Sequence, residues 1–445
     1  MTAVAGILNK RGIAIAADSA VTMNRKNNNK IANSANKMLR LSSVNPISVM
    51  VTGNADFLLT PWDIVIRRFR QKRGEKPYPT VEACIEDFFS YILTEKMFIS
   101  DDIGKQYLWY ELSDLWGNVV AQVPELGFDE ESHKVANTDA VLEAFRCSFT
   151  CENMSYTSFG KMPMFKDYSL EKFKTFLGNM IDEFLEENTI DEEEAYWNTE
   201  IYGEVPKKYT KKILNTIKDK FTECFYNALT NCVSKSIACL IFSGFGTKEE
   251  YPVLIGVRVR GGFDGRISYF IQQDEIYKIS DENPVAICPF AQNDVMEALL
   301  TGIHPDFYKH VGKSVDDLFY NYVSRICDEV TDDRDTRRKL MCILESKRIR
   351  GLASQIMQQF NKRCEAEHKI WLKALRHYDL QSMARLAENL VAITGFDRHI
   401  TFSQEGVGGP IDVAIITKNN GFTWLNRKSW YHHKDVGGRY GKFGV

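Results

Sequence analysis

Residues 2–8 ("TAVAGIL") and 12–18 ("GIAIAAD") are two apolar runs rich in Ala, Val and Ile, separated only by the turn "NKRG". Runs of this kind around a glycine turn pair as an antiparallel hairpin, and this one is expected at the centre of a sheet. A chain end carrying a charged amine sits badly in a buried strand. It is well placed there only if the amine itself is used.

The rest of the chain alternates in the same coarse way. "MNRKNNNKIANSANK" reads as a loop, and "MLRLS" and "ISVMVTG" as a second pair of strands. After Gly53 the spacing becomes helical. Asn54 is expected to cap a helix over "ADFLLTPWDIVIRRFRQK" ending near Gly74, and Thr80 to cap a second over "TVEACIEDFFSYILTEKM". Residues 100–233 read as a helical insertion whose acidic and basic runs are solvated faces. Strands return at "SIACLIFSGFG", at the hairpin "YPVLIGVRVRGGFDGRISYFIQ" and at "PVAICPF", followed by a helix at "AQNDVMEALLTGI". Residues 305–377 form a second, highly charged helical insertion. The helix "LQSMARLAENLVAIT" and the strands "RHITFS", "PIDVAIITK" and "GFTWLNRK" close the pattern, with "NNG" as the last turn and a glycine-rich tail. The boundaries are therefore 1–99, 234–304 and 378–430 for the main body, 100–233 and 305–377 for the insertions, and 431–445 for the tail. Strand groups separated by helix pairs predict an α+β fold, a four-layer αββα sandwich with helical insertions.

A net charge of -3 over 445 residues gives no reason to expect a nucleic-acid partner. No run approaches a membrane span, and the start lacks a basic segment followed by an unbroken apolar one. The ten cysteines have no repeating spacing. Cys147 and Cys151 have no second half of a metal site behind them, so no metal and no cofactor are expected. Scattered thiols and the absence of a signal suit a reduced, cytoplasmic protein.

The opening block, "TAVAGILNKRGIAIAADSAVT", resembles the mature start of proteasome β-type subunits and their bacterial relatives, the N-terminal-nucleophile hydrolases. Their pattern is an N-terminal Thr, a strand, a glycine turn and a strand ending in Ala-Ala-Asp-Ser. The spacing from Thr2 to Asp18 is similar without a gap. "NKMLRLS" resembles the strand with that family's active-site lysine, here Lys37, and "VMVTGNADF" its oxyanion-hole turn, here Thr52 and Gly53. "LIFSGFGTKEEYPVLIGVRVRGG" and "VGGPIDVAIITKNNGF" are similar to later strands of the family. The resemblance covers about 2–95, 236–302 and 378–428, and it implies a threonine hydrolase that cleaves an amide bond in a polypeptide or small amide. Asp18 and Lys37 are expected within salt-bridge reach, at the ends of neighbouring strands of one sheet.

The chemistry has its own logic. An α-amine has a reference pKa near 8, so it can be neutral where a lysine is not. The hydroxyl and amine of one threonine thus form a nucleophile with its own base. A neighbouring Lys37 ammonium would lower both pKa values, and Asp18 would keep that ammonium charged. Backbone N–H groups around Thr52 and Gly53 would face the oxyanion. Removal of Met1 alone exposes Thr2, so no propeptide is expected. Taken singly, a Thr at position 2, an Asp at a strand end and a Lys in a polar loop carry no function; their order does.

Three positions depart from the family. Thr52 stands where a second glycine is usual, and "CPFAQND" lacks the usual glycine–serine turn, leaving Gln292 or Asn293 to hold the terminal amine. "SQEGVGG" places Gln404 where an Asp is usual, with Glu405 beside it. These departures support an alternative: an inactive proteasome-like scaffold that binds partners through its insertions. The insertions also alter the surfaces through which such subunits assemble, so a homo-oligomer or a partner complex is expected without a closed seven-fold double ring.

Overall fold

A computed structural model describes residues 2–25, 28–32, 36–129, 134–135, 138–189, 209–231, 237–330, 333, 336, 350–401 and 407–428. The first hairpin is present as expected, β1 (Ala3–Asn9) and β2 (Gly12–Ala17), and every residue of both strands is buried. Burial on both faces follows from composition, since small and β-branched side chains let two neighbouring layers approach closely. At Gly6, a Cβ would lie 2.7 Å from Leu254 Cδ1, so a larger residue would have to displace that side chain.

Two five-stranded antiparallel sheets organise the chain. Strands β3 (Met38–Arg40) and β4 (Ile47–Thr52) pair, as do β5 (Ala238–Gly244), β6 (Val253–Phe263) and β7 (Arg266–Lys278). Strand β8 (Val285–Ala291) and the final hairpin, β9 (Asp412–Thr417) and β10 (Gly421–Asn426), complete the set. Sheet 1 has the order β8-β1-β2-β9-β10, and sheet 2 the order β7-β6-β5-β4-β3. The opening hairpin therefore lies inside sheet 1.

Alternation along the strands divides the core. Val4, Leu8, Ile13 and Ile15 of sheet 1 share a cluster with Met50, Cys239, Ile241 and Leu254 of sheet 2. Val49, Leu240, Phe242 and Ile255 turn the other way and meet Trp62, Phe69, Phe88 and Phe89 from helices α1 (Trp62–Arg73) and α2 (Val81–Thr94). Eleven helices of eight or more residues are described. Those after α2 are α3 (Asp101–Gly127), α4 (Thr138–Thr157), α5 (Leu170–Leu177), α6 (Met180–Glu187), α7 (Lys211–Thr230), α8 (Asp294–Thr301), α9 (Pro305–Val330), α10 (Arg350–Leu375) and α11 (Leu380–Ile400). Ala3, Ala5 and Ala14 on the outer face of sheet 1 pack with Met296 of α8 and with Met383, Ala387 and Leu390 of α11. The chain is thus α+β with antiparallel sheets. Among the described residues no helix is long and apolar enough to cross a membrane.

The segment 100–233 is mainly helical where described, with a short ribbon pairing Phe128–Asp129 and Lys134–Val135, and it is more than a set of solvated faces. Trp116, Phe145, Phe149, Phe184 and Phe221 build an aromatic core that also takes in Phe263 and Phe270 from the β6–β7 hairpin. A buried ion pair fastens it to sheet 2: Arg260 Nε donates to Glu111 Oε2 at 3.0 Å.

Local expectations fail at three places. Residues Val21–Arg25 and Asn28–Ala32, read as loop, pair as an antiparallel ribbon. Helix α1 starts at Trp62 behind Pro61, not at Asn54, because Asp56–Phe57 and Thr60–Pro61 form a tight ribbon first. Arg398–Ile400 of the expected strand "RHITFS" belong to α11, and 402–406 lie outside the described residues. Thr80 does cap α2, accepting from Ala83 N at 3.2 Å.

Candidate active site

The site lies where β1 begins and β2 ends. The ladder runs on past Ala3, which pairs with Ala291, to a bond from Gln292 N to the Thr2 carbonyl at 3.2 Å. Ala3 and Ala5 face the helices, while Val4 faces sheet 2. Alternation puts Thr2 on the face of Val4, towards sheet 2. Thr2 is 7% exposed.

Asp18 follows β2 directly and is 2% exposed. Its Oδ1 accepts from Ala3 N at 3.0 Å and from Lys37 Nζ at 2.7 Å. Its Oδ2 accepts from Ala20 N at 3.2 Å and from Gly408 N at 3.1 Å. Because Ala3 N and Lys37 Nζ share one acceptor oxygen, ordinary hydrogen-bond geometry brings the ammonium within roughly 6 Å of the Thr2–Ala3 peptide link. Three residues spread over the first 37 positions thus converge on one buried point.

One expectation about that pair is overturned. Asp18 and Lys37 do not come from the same sheet. Asp18 ends a strand of sheet 1, and Lys37 leads into β3 of sheet 2, where its carbonyl accepts from Val51 N at 2.8 Å. The chain changes sheets between Ala17 and Met38, so the ion pair spans the gap between the two layers.

Lys37 is 5% exposed. Burial pulls its ammonium below the ordinary lysine value; the Asp18 carboxylate opposes this, and the nearby Lys428 ammonium adds to it. A buried ammonium held by one carboxylate and facing a second cation is suited to stabilising negative charge on a neighbouring oxygen.

Thr52 and Gly53 end β4 on the same side. Gly53 has φ +77°, and a Cβ there would collide with the Ile237 carbonyl. Only glycine fits that turn without strain. Thr52 is buried opposite Cys239 and hydrogen-bonds its thiol, which burial pushes up to about 12. That cysteine is a packing residue rather than a nucleophile.

The supporting positions behave differently from one another. Gln292 meets Thr2 through its main chain, while its Oε1 accepts from Arg398 Nε at 2.9 Å. Asn293, the residue before α8, donates from Nδ2 to Glu297 Oε1 in its first turn. Gln404 and Glu405 lie outside the described residues. Cys147 and Cys151 are both exposed, one turn apart on α4.

Sequence reasoning missed the second buried ion pair. Lys428 Nζ lies 3.1 Å from Asp412 Oδ2 and donates to Ser19 Oγ at 2.9 Å. Ser19 belongs to the Ala-Ala-Asp-Ser end of β2, so the motif pointed there. Nothing in the local pattern marks Asp412 or Lys428. They are legible only once β9 is known to pair with β2, which sets Asp412 opposite Ala17.

No protein-family model matches the chain, and a search of curated proteins gives no match. What the site can do rests on its own chemistry.

Proposed function

We propose that the chain is an N-terminal threonine hydrolase of the proteasome-like class, cleaving an amide bond with Thr2 as nucleophile once Met1 is removed. Its body in this reading is the four-layer αββα sandwich of that class, with the helices of 100–233 and 305–377 added outside. The observation that carries the reading is the buried Lys37–Asp18 pair, 2.7 Å from Nζ to Oδ1, whose Oδ1 also accepts from Ala3 N of the Thr2–Ala3 peptide at 3.0 Å.

In the proposed reaction the Thr2 hydroxyl attacks the substrate carbonyl and its proton passes to the Thr2 amine. The oxyanion faces the backbone N–H at Gly53, and the Lys37 ammonium stabilises the alkoxide that attacks. The protonated amine then gives its proton to the leaving nitrogen. The C–N bond breaks and an ester remains on Thr2 Oγ1. A water, deprotonated by the same amine, hydrolyses that ester and restores the site.

A panel of acyl amides and peptides tests this directly. Thr2→Ala should abolish hydrolysis in a folded protein, Thr2→Ser should retain part of it, and Lys37→Ala should cost about a hundredfold or more. Undiminished hydrolysis in Thr2→Ala would end the reading.

One observation favours a second reading, a scaffold. Helix α9 leaves Leu318, Tyr322 and Val330 exposed and, with Ile356 of α10, lines a groove of ≈ 510 Å³. Under this reading Thr2→Ala would perform the cellular task as well as the parent.

A further inference from the structure

The second ion pair is as buried as the first, with both side chains at or below 6% exposure. It is wired to Asp18 through one short stretch of backbone. Lys428 Nζ donates to Ser19 Oγ, and Ser19 Oγ donates to the Pro410 carbonyl at 2.6 Å. Ser19 N donates to the Gly408 carbonyl at 3.2 Å, and Gly408 N returns to Asp18 Oδ2 at 3.1 Å. Lys428 N also donates to Asp412 Oδ1 at 2.8 Å. The segment 407–411 is therefore stitched to residues 18–19, and Lys428 grips both Ser19 and Asp412, the residue that follows the segment.

We propose, resting on the hydrolase reading, that Lys428 is a positioning residue of the Thr2 site. It fixes the segment that orients Asp18, and it holds a second positive charge behind Lys37. The Asp412 carboxylate, 3.1 Å away, offsets the cost of burying that charge.

The charge count explains why this matters. The ionisable groups joined in this network are Asp18 after β2, Lys37 before β3, Asp412 at the start of β9 and Lys428 after β10, with the self-balanced Arg398–Asp294 pair behind Gln292. Two lysines balance two aspartates. A bared, protonated Thr2 amine would be an excess cation beside them, so it is the group that gives up a proton. Without Lys428 the cluster carries one positive charge fewer, and both Lys37 and the amine hold their protons more tightly. The direction for Lys37 agrees with the lowering that Lys428 exerts on it.

The test separates charge from hydrogen bonding. Lys428→Gln keeps a donor for Ser19 and loses the charge, Lys428→Arg keeps the charge, and Lys428→Met loses both. Lysine ¹³Cε resonances give the Lys37 titration midpoint whether or not the protein is active, and the pH–rate profile of amide hydrolysis gives the amine. The midpoint and the acidic limb should rise by about one unit in Lys428→Gln and Lys428→Met and stay at the parent position in Lys428→Arg. An unmoved midpoint in folded Lys428→Gln overturns the inference, even if the variant is less stable. A parent that hydrolyses no amide while its midpoint responds as expected instead counts against the hydrolase reading alone.

Discussion

Asp18→Asn is the sharpest perturbation of the site, because the side chain changes by one atom and one charge. The carboxylate accepts four hydrogen bonds, two on each oxygen. An amide has only one oxygen, so its nitrogen must face two donors in either orientation. The larger loss is electrostatic, since Lys37 is left buried without its counter-charge. Removing one partner of a buried ion pair costs about 3–5 kcal/mol. Lys37 can relieve this by shedding its proton, which makes the cost depend on pH. Its folded value already lies below the ordinary 10.5 because of burial, and without Asp18 it falls further. Below 10.5 the unfolded chain then binds a proton that the folded variant does not. Stability falls as pH drops, by at most about 1.4 kcal/mol per unit, until the folded lysine protonates too. The parent, with its smaller shift, stops losing stability at a higher pH. Urea unfolding of parent and variant between pH 7 and pH 10, followed by circular dichroism, should therefore show a difference of about 3–5 kcal/mol at pH 7 that shrinks towards pH 10. The double variant Asp18→Asn/Lys37→Met should recover much of the loss. A cost under about 1 kcal/mol at pH 7, the scale of an exposed pair, or a cost equal at both ends of the range, would refute the reasoning.

Other outcomes follow from single contacts. Gly53→Ala should cost about 1–3 kcal/mol, read as a lowered melting temperature, because the residue sits at positive φ against the Ile237 carbonyl. Glu111→Gln should leave Arg260 buried without its charge partner and speed hydrogen exchange in α3, while Glu111→Leu/Arg260→Met should restore protection. Thr80→Ala should destabilise by about 1 kcal/mol through loss of the α2 cap, with no effect on hydrolysis.

Much of the sheet framework was legible because strand and turn chemistry is local. The "NKRG" hairpin, the strands around Pro46 and the β6–β7 hairpin each carry their own periodicity and turn residues. The asparagine-rich ribbon was not, since Asn and Lys disfavour strands and nothing apolar marks the pairing. The start of α1 was missed because a capping residue at Asn54 precedes a ribbon rather than a helix. At the site, Thr2, Asp18 and Lys37 were found as a pattern in order, and two direct hydrogen bonds join Asp18 to Ala3 N and Lys37. Their arrangement across two sheets could not be read from strand ends alone. Asp412 and Lys428 were invisible because what brings their pair to the site, Ala17 and Ser19, lies about 390 to 410 residues away and depends on the β2–β9 register. The aromatic core of 100–233 was masked by the charge runs that flank it.

The claim that Thr2 is the nucleophile is tested most directly by intact mass before and after exposure to a β-lactone. Opening the lactone on a hydroxyl forms an ester and expels nothing, so the adduct adds the full mass of the reagent. The protein should lack Met1, carry a single adduct that peptide mapping assigns to Thr2, and give no adduct in Thr2→Ala. Retained Met1, or labelling that persists unchanged in Thr2→Ala, would contradict it.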